Sequence, residues 1–323
     1  MPGMFNETRA DDVLAATVRL AGVARRTTLR LSPGLGAIAG CDVFLKLESE
    51  QITGSFKLRG AFNLISALPA EVRERGVVAS SAGNHGLGVA WASHRFGIPA
   101  TIFVPETAPR VKREGIAALG ATVDAESPNY DAAMERAIAF AEERGATFVH
   151  PCTGRALLAG QGTVAAEILE DLPGLRTLIV PVGGGGLLGG CGALLRNVAP
   201  AVRIMGAQSE NTAAMARSLE AEEVVHIPSL PTLADGLAGD IDDVALDIGL
   251  HALDEIHTVT EDAIGRAIAW LAREENLVVE GAGAVGVAAI LERVISNPEG
   301  PVAVVASGGN IDRERHDSLL ERW

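Results

Sequence analysis

Short apolar runs alternate with stretches of helical periodicity along most of this chain. Apolar runs of this length predict β-strands, and their alternation with helices is typical of α/β proteins with a mainly parallel sheet. The runs predicted as strands are 77–80, 100–104, 147–149, 177–182, 202–207 and 302–306. We therefore expect an α/β fold built on twisted, mostly parallel sheets.

Two further patterns predict particular elements. Apolar side chains recur at helical spacing between Asn129 and Gly145, where the glycine can adopt the left-handed conformation that ends a helix. Residues 178–195 carry no charge and are long enough to imitate a membrane span. Four consecutive glycines and Pro181 interrupt that run, which favours a strand, a loop and a buried helix instead.

Length and composition allow one large domain or two ordinary ones in 323 residues. The formal charge of −14 argues against nucleic acid as a partner, and the arginines at 19, 25, 26 and 30 are interpreted as the solvated end of a helix.

The three cysteines lie far apart, which fits a reducing cytoplasm better than a disulfide framework. Residues 1–7 contain no basic segment followed by an apolar core, so no secretory signal is expected.

One of the three lysines has an unusual sequence context. Lys57 follows residues 54–56, a turn that leads into a helical pattern, whereas Lys46 and Lys112 have ordinary polar neighbours. A lysine amine performs covalent chemistry when its environment lowers its pKa, or when a carbonyl compound traps it as a Schiff base. The turn alone supports a reactive amine and a surface lysine at a helix start about equally.

A run of four glycines follows the predicted strand at 177–182. These glycines precede Leu187 and Leu188, so a buried strand leads into a glycine loop and then into a helix. Consecutive backbone amides at a helix N-terminus bind phosphate, whereas a simple tight turn does not need so many glycines. We therefore favour an anion site here, and the lack of a GxxxxGK[ST] pattern disfavours a nucleotide P-loop.

A rival glycine pattern occurs at 281–286, where the sequence matches the GxGxxG fingerprint of nicotinamide dehydrogenases. That fingerprint requires an acidic residue after the next strand, but the run 302–306 is followed by Ser307-Gly308-Gly309-Asn310. Helix packing through small residues is the better interpretation, and an NAD-dependent dehydrogenase stays the alternative from another class. The aspartates at 240, 242, 243 and 247 lack the glycine and glutamate of an EF-hand, so no metal site is predicted.

The motifs occur in a characteristic order along the chain. Ser55-Phe56-Lys57-Leu58-Arg59-Gly60-Ala61 comes first, followed by Ser81-Ala82-Gly83-Asn84-His85-Gly86, the four glycines, and Ser307-Gly308-Gly309-Asn310. With this order the chain resembles, over nearly its whole length, the fold type II pyridoxal-phosphate enzymes, in particular the threonine/serine dehydratases (ammonia-lyases). The resemblance implies an α/β fold of the tryptophan synthase β type, with pyridoxal 5′-phosphate between two domains. The small domain would comprise 52–150, inserted into a large domain formed by 1–51 and 151–323.

The resemblance also implies roles for individual residues. Lys57 would form the Schiff base with the cofactor and later accept the Cα proton of the substrate. Phe56 would pack beside the cofactor ring, Asn84 would hydrogen-bond the ring hydroxyl, and neutral Ser307 would face the pyridine nitrogen and leave it unprotonated. The residues implied to bind the cofactor phosphate are Gly183, Gly184, Gly185, Gly186 and Leu187. The residues implied to meet the substrate carboxylate are Ser81, Ala82, Gly83, Asn84 and His85.

The implied reaction is β-elimination, in which a small β-hydroxy amino acid such as L-threonine or L-serine gives a 2-keto acid and ammonia. A dehydratase for 3-hydroxyaspartate and a non-catalytic ligand-binding relative are the alternatives. Racemases of this family carry a serine where this chain has Ala82, and metal-binding relatives carry acids where it has Gln208 and Ala214, so racemisation and a divalent-ion site are disfavoured. Because the chain ends at Trp323, no C-terminal regulatory domain is expected. The cysteines and the N-terminal sequence predict a cytoplasmic enzyme, and the family suggests a homo-oligomer.

Overall fold

The computed structural model describes residues 8–228 and 230–323, so the prediction for residues 1–7 lies outside the described part. The strands in these ranges are β1 Leu29–Leu31, β2 Val43–Leu47, β3 Val77–Ser80, β4 Ala100–Pro105, β5 Thr122–Ser127, β6 Thr147–Phe148, β7 Thr177–Pro181, β8 Arg203–Ser209, β9 Glu255–Val259 and β10 Val302–Ala306. The helices are α1 Ala10–Leu20, α2 Pro33–Ala39, α3 Lys57–Ala67, α4 Ala70–Arg73, α5 Asn84–Phe96, α6 Arg110–Ala118, α7 Tyr130–Arg144, α8 Arg155–Asp171, α9 Gly186–Val198, α10 Ala214–Ala221, α11 Asp243–Ala252, α12 Glu261–Glu274, α13 Gly281–Leu291 and α14 Arg313–Arg322.

The strands form two separate sheets. The larger has the order β1-β2-β10-β7-β8-β9, and its neighbouring strands are parallel except for β1 with β2. The smaller has the order β5-β4-β3-β6 and is parallel throughout. All strands of the smaller sheet come from residues 77–148, so the chain leaves the larger sheet after β2 and returns to it at β7. The predicted α/β class with mostly parallel sheets is confirmed, while the domain bounds at 52 and 150 stay a prediction.

All six predicted strands are present, with ends within two residues of the predicted ones. Four strands had no clear signal in the sequence, and their positions in the sheets explain why. β1, β5 and β9 lie at sheet edges, where one side of the strand is exposed and polar residues interrupt the apolar pattern. β2 lies inside the larger sheet, but Lys46 breaks its apolar run.

The two predicted helical segments form as expected. Asn129 caps α7 by accepting a hydrogen bond from the amide of Ala132 over 2.9 Å, and Gly145 ends the helix with a φ of 61°. The uncharged run 178–195 divides into β7, the glycine loop and a buried part of α9. No helix of the described residues is long and apolar enough to cross a membrane.

The four N-terminal arginines do not form one solvated helix end, so that interpretation was wrong. Only Arg19 lies in α1, where it donates to the side chain of Asn63 over 3.0 Å. Arg26 pairs with two carboxylates near the end of α8, each at 2.6 Å, and Arg30 pairs with Glu275 at 2.9 Å. These arginines therefore join the N-terminal segment to α8 and α12.

Candidate active site

Lys57 is the first residue of α3, and the turn before it is hydrogen-bonded to the segment after β10. The amide of Phe56 donates to the carbonyl oxygen of Ser307 over 3.1 Å, and the amide of Gly309 donates to that of Gly54 over 2.9 Å. Gly54 has a φ of 73°, a left-handed conformation that glycine adopts without strain. The first and last sequence motifs therefore meet in space, although they lie near opposite ends of the chain.

The amine of Lys57 is held by a backbone carbonyl group. Its Nζ donates to the carbonyl oxygen of Pro151 over 2.8 Å and lies 5.4 Å from the centre of the Phe56 ring. Two nearby histidines are kept neutral. Burial, reinforced by the Lys57 amine, lowers the pKa of His85 to about 3, and burial also lowers the pKa of His150.

The other two lysines have different surroundings. Lys46 is fully buried, and its Nζ lies 2.6 Å from a carboxylate oxygen of Glu167. Lys112 forms an ion pair with Asp235 at 3.2 Å. The interpretation of Lys46 as a lysine with ordinary polar neighbours was therefore wrong. Among the three lysines, Lys57 is the one that has no carboxylate partner within the described residues.

The four-glycine loop joins β7 to the N-terminus of α9. Gly185 precedes the first helical residue and has a φ of 81°. Within the described residues, the amides of Gly184, Gly185, Gly186 and Leu187 donate to no protein acceptor. A Cβ atom on Gly184 would lie 2.7 Å from the Sγ atom of Cys152, so a larger side chain has no room there. Unpaired amides at a helix N-terminus form a site for an anion such as phosphate.

The glycine loop and Ser307 lie side by side at one edge of the larger sheet. β7 and β10 are parallel neighbours, with Ile179 opposite Val304, so their carboxyl ends point in the same direction. The loop follows β7, and Ser307 follows β10 directly. Ligands of open α/β sheets bind at this edge, beyond the carboxyl ends of the strands.

Residues 81–83 connect β3 of the smaller sheet to α5, whose first two residues are Asn84 and His85. Within the part of the chain that the structure describes, the amides of Asn84 and His85 donate to no protein acceptor. The amide of Gly83 donates to Oγ of Ser81 over 3.2 Å, which holds the loop in a tight turn. The free amides at the start of α5 suit a carboxylate group.

Asn84 joins this loop to the Ser307–Asn310 segment. Its side-chain oxygen accepts a hydrogen bond from Nδ2 of Asn310 over 2.6 Å. Asn310 also donates to the carbonyl oxygen of Thr53, over 2.8 Å. The predicted residues Lys57, Asn84 and Ser307, which lie on three distant parts of the sequence, are thus joined through one short segment.

Sequence analysis missed one residue beside this segment, Glu280. Its carboxylate accepts a hydrogen bond from Nδ2 of Asn84 over 2.6 Å, and its amide donates to the carbonyl oxygen of Gly308 over 3.0 Å. Burial raises the pKa of Glu280 to about 7, although the hydrogen bond from Asn84 acts in the opposite direction. The one available signal was that Glu280 is the only charged residue between positions 277 and 291.

The glycines at 281–286 do not form a dinucleotide-binding loop. They lie inside α13, and residues 275–280, directly before it, contain no strand. A Cβ atom on Gly283 would lie 2.8 Å from the carbonyl oxygen of Gly308, and one on Gly286 would lie 2.9 Å from the side chain of Val304. Close packing of α13 explains these glycines, as predicted from the sequence. An NAD-dependent dehydrogenase would need a dinucleotide-binding loop at 281–286, and these residues are helical instead.

The aspartates near position 240 act as local hydrogen-bond acceptors. Asp242 caps α11 by accepting a hydrogen bond from the amide of Ala245 over 2.8 Å, and Asp240 lies 2.7 Å from Nδ1 of His226. In residues 8–228 and 230–323, no group of three or more histidine, cysteine, aspartate or glutamate side chains is arranged to hold a metal ion.

Comparison with known proteins decides which cofactor this site accepts. The family of pyridoxal-phosphate dependent enzymes matches residues 20–308. The chain belongs to this family. The unpaired amides of the glycine loop fit the phosphate of the cofactor, and an amine such as that of Lys57 is what its aldehyde requires. The family and the cofactor predicted from the order of the motifs are thereby confirmed.

The relatives of this pyridoxal-phosphate enzyme include lyases and racemases. The L-threonine ammonia-lyase of Thermotoga maritima is 43% identical over 313 residues, which cover 97% of this chain and 78% of that protein. The processed form of threonine deaminase isoform 2 from Solanum lycopersicum has a TM-score of 0.90 and 32% identity, covering 97% of this chain and 86% of the other. Maize serine racemase has a TM-score of 0.91 and 32% identity, and the match covers 98% of this chain and 97% of the racemase chain. Since one fold serves both activities, individual residues must distinguish them.

Proposed function

We propose that this enzyme is an ammonia-lyase that removes water from L-threonine or L-serine and releases a 2-keto acid and ammonia. The observation that carries the proposal is the amine of Lys57, whose partner is the neutral carbonyl of Pro151 and whose preceding turn is hydrogen-bonded to Ser307. The relatives named as L-threonine ammonia-lyases agree with the β-elimination predicted from the motifs. When bound, pyridoxal phosphate supplies the electron sink for loss of the Cα proton.

Lys57 has two tasks in this proposal. With pyridoxal phosphate bound, the amine of Lys57 would hold its aldehyde carbon, and the same amine, when free, would accept the Cα proton of the substrate as a general base. A base must be unprotonated to accept a proton. The carbonyl oxygen of Pro151 holds the Nζ atom in place over 2.8 Å.

Other residues of the candidate site would hold the remaining parts of the cofactor. The amides of residues 183–187 would bind the phosphate, and Phe56, whose ring centre lies 5.4 Å from Nζ of Lys57, would pack beside the cofactor ring. Asn84 would donate to the ring hydroxyl oxygen, and the hydroxyl of Ser307 would face the ring nitrogen. Because Ser307 is neutral, it would not hold a proton on that nitrogen, and the weaker electron sink would favour prompt elimination over a long-lived carbanion.

The substrate carboxylate binds the free amides at the start of α5, next to Ala82. The side chain of Ala82 is a methyl group, which cannot deliver a proton to the second face of Cα. This residue favours elimination over racemisation, although maize serine racemase has a very similar fold.

An assay of keto-acid release tests the proposal. Purified enzyme saturated with pyridoxal phosphate is supplied separately with L-threonine, L-serine and 3-hydroxyaspartate, and D-serine formation is followed in parallel. Keto acid from L-threonine or L-serine, lost in Lys57→Ala, supports it. Keto acid from 3-hydroxyaspartate alone would instead support the alternative dehydratase, and a coloured protein that releases none from any substrate would support a non-catalytic relative.

We further propose a cytoplasmic homo-oligomer with a small domain at 52–150. The free thiols of Cys41, Cys152 and Cys191 fit a reducing compartment. All strands of the smaller sheet lie within the proposed small domain, which supports its bounds. Self-assembly is supported by the family resemblance.

A further inference from the structure

The side-chain amide of Asn84 is held from two sides. Its Nδ2 donates to Oε1 of Glu280 over 2.6 Å, and its Oδ1 accepts from Nδ2 of Asn310 over 2.6 Å. Asn310 donates through Nδ2 in both of its hydrogen bonds, and Nδ2 is only a donor, so it requires the oxygen of Asn84 on its side. The carboxylate of Glu280, an acceptor when ionised, then takes the N–H side. Turning the Asn84 amide by half a revolution would place oxygen against oxygen and N–H against N–H. The two partners therefore select one orientation.

Both partners are held by backbone hydrogen bonds at or beside the segment 307–310, to which Asn310 belongs. The amide of Glu280 donates to the carbonyl oxygen of Gly308 over 3.0 Å, and Asn310 donates to the carbonyl oxygen of Thr53 over 2.8 Å. Glu280 is itself 6% exposed, so its side chain has little freedom to move. Asn84, Glu280 and the segment 307–310 thus form one hydrogen-bonded unit.

Gly308 makes this arrangement possible. A Cβ atom at this position would overlap Oε1 of Glu280 and would lie 3.1 Å from Nδ2 of Asn84. The carboxylate therefore lies directly on the backbone of Gly308, beside Ser307. Any larger residue would push Glu280 away from Asn84.

The Nδ2 group of Asn84 carries two hydrogens, and Glu280 accepts one of them. The other has no acceptor within the described residues. We propose that Glu280 and Asn310 are positioning residues that fix Asn84 as a hydrogen-bond donor to the ring hydroxyl oxygen of the cofactor. This inference rests on the proposed function, in which Asn84 meets that oxygen. Without the two partners, the amide would present its oxygen as readily as its N–H, and an oxygen would repel an ionised ring hydroxyl.

The test uses the holoenzyme and four single variants, Glu280→Ala, Glu280→Gln, Asn310→Ala and Asn84→Ala. Double variants add Asn84→Ala to each substitution of Glu280 or Asn310. For each protein we would measure the dissociation constant of pyridoxal phosphate, the pH titration of its visible absorption band, and kcat and KM separately. We expect Glu280→Ala to weaken cofactor binding about tenfold and to shift the titration of the band. Glu280→Gln should have a smaller effect, because its amide oxygen can still accept from Asn84.

The double variants distinguish positioning from general stabilisation. If Glu280 and Asn310 act through Asn84, their removal should change binding and the band by less than about twofold once Asn84 is alanine. Independent, multiplicative effects would overturn the inference. So would an unchanged band titration in Glu280→Gln, Asn310→Ala and Glu280→Ala. If Glu280→Ala fails to fold, Glu280→Gln and Asn310→Ala carry the same test.

A matched control is Glu275→Gln, which removes a largely buried carboxylate that pairs with Arg30 at 2.9 Å, outside the candidate site. It should leave the band titration unchanged. The proposed function is tested separately by the wild-type enzyme. A wild type that binds no pyridoxal phosphate would refute the function. A coloured, active wild type would leave the function standing, and independent effects of the substitutions in the double variants would then refute only the positioning role.

Discussion

The Nζ atom of Lys57 lies 2.8 Å from the carbonyl oxygen of Pro151, and the next residue along the chain, Cys152, lies against the glycine loop. One short segment therefore touches both the reactive amine and the phosphate site. A change in the packing between Cys152 and Gly184 is expected to affect the cofactor at both ends.

Replacing Gly184 by alanine tests this contact. The new Cβ atom would lie 2.7 Å from Sγ of Cys152, so either the glycine loop or the segment at 152 must move. We expect the dissociation constant of pyridoxal phosphate to rise about tenfold, equivalent to about 1.4 kcal/mol. Titration of cofactor-free protein, followed by visible absorption, measures it.

Two controls accompany this variant. Adding Cys152→Ala to the Gly184→Ala variant removes the sulfur atom and should restore part of the affinity for pyridoxal phosphate. Gly174→Ala is the matched glycine substitution, because the nearest atom to its Cβ would be 4.0 Å away, and it should bind cofactor as the wild type does. Unchanged affinity in Gly184→Ala would show that the loop is not packed as described.

A buried charge cluster lies two residues beyond Lys57. Arg59, 1% exposed, lies 2.8 Å from a carboxylate oxygen of Glu48 and 2.7 Å from one of Glu167, which also pairs with Lys46. Although burial acts to raise it, the hydrogen bonds from Arg59 hold the pKa of Glu167 below its ordinary value. Glu167→Gln leaves an unbalanced buried positive charge and should lower the free energy of unfolding by about 3 kcal/mol.

The neighbouring Glu170→Gln is the control for this prediction. Glu170 lies on the same helix and pairs with Arg26 at 2.6 Å, but both side chains are about half exposed. Its loss should change the free energy of unfolding by less than about 1 kcal/mol. Urea unfolding of both variants provides the comparison, and equal effects would contradict the account of the cluster.

The pH dependence of stability reports on Glu280. Burial raises the folded-state pKa of Glu280 to about 7, above the ordinary value of 4.5. Between pH 4.5 and pH 7 the Glu280 carboxyl is therefore protonated in the folded protein and ionised in the unfolded one. The stabilisation from this proton is fully present below pH 4.5 and is lost as pH rises through 7. Asp235, which raises this pKa, and Lys112, which lowers it, are the charged groups acting on Glu280.

Between pH 5 and pH 8 we therefore expect the wild type to lose about 2 kcal/mol more unfolding free energy than Glu280→Gln, which cannot titrate. Urea unfolding at both pH values measures the difference. Identical pH dependence in the two proteins would mean that Glu280 titrates normally.

Ala82 is predicted to decide between elimination and racemisation. Ala82→Ser introduces a hydroxyl group that can relay a proton, and we expect D-serine formation from L-serine to rise roughly tenfold or more. Ala82→Gly, which adds no hydroxyl, is the matched control. Chiral chromatography of the products provides the measurement. A wild type that racemises serine faster than it deaminates it would contradict the role given to Ala82.

The central strands could be predicted because their signal lies within a few consecutive residues of the sequence. β10 and β7 are fully buried, so their sequences are continuous apolar runs, and the glycine loop that follows β7 has a distinct composition. The edge strands β5 and β9 could not be predicted, because exposure on one side allows residues such as Asp124 and His257 within them.

The charged partners could not be predicted for a different reason. Asn84 and Glu280 are 196 positions apart, and Arg59 and Glu167 are 108 apart, so no local pattern connects them. Lys46 had no distinctive neighbours in the sequence, and only the packing of β2 against α8 shows that it is buried beside a carboxylate. Order along the chain identified the cofactor-binding motifs, whereas the contacts that orient them required the three-dimensional structure.

Covalent labelling tests the central claim, that Lys57 holds pyridoxal phosphate, most directly. Borohydride reduction of the coloured enzyme fixes the cofactor to the amine that carries it, and peptide mass spectrometry then identifies the modified lysine among the three in the chain. We predict a visible absorption band that reduction abolishes, with the label on Lys57, and neither band nor label in Lys57→Ala. A label on Lys46 or Lys112, or an enzyme that stays active as Lys57→Ala, would contradict the account.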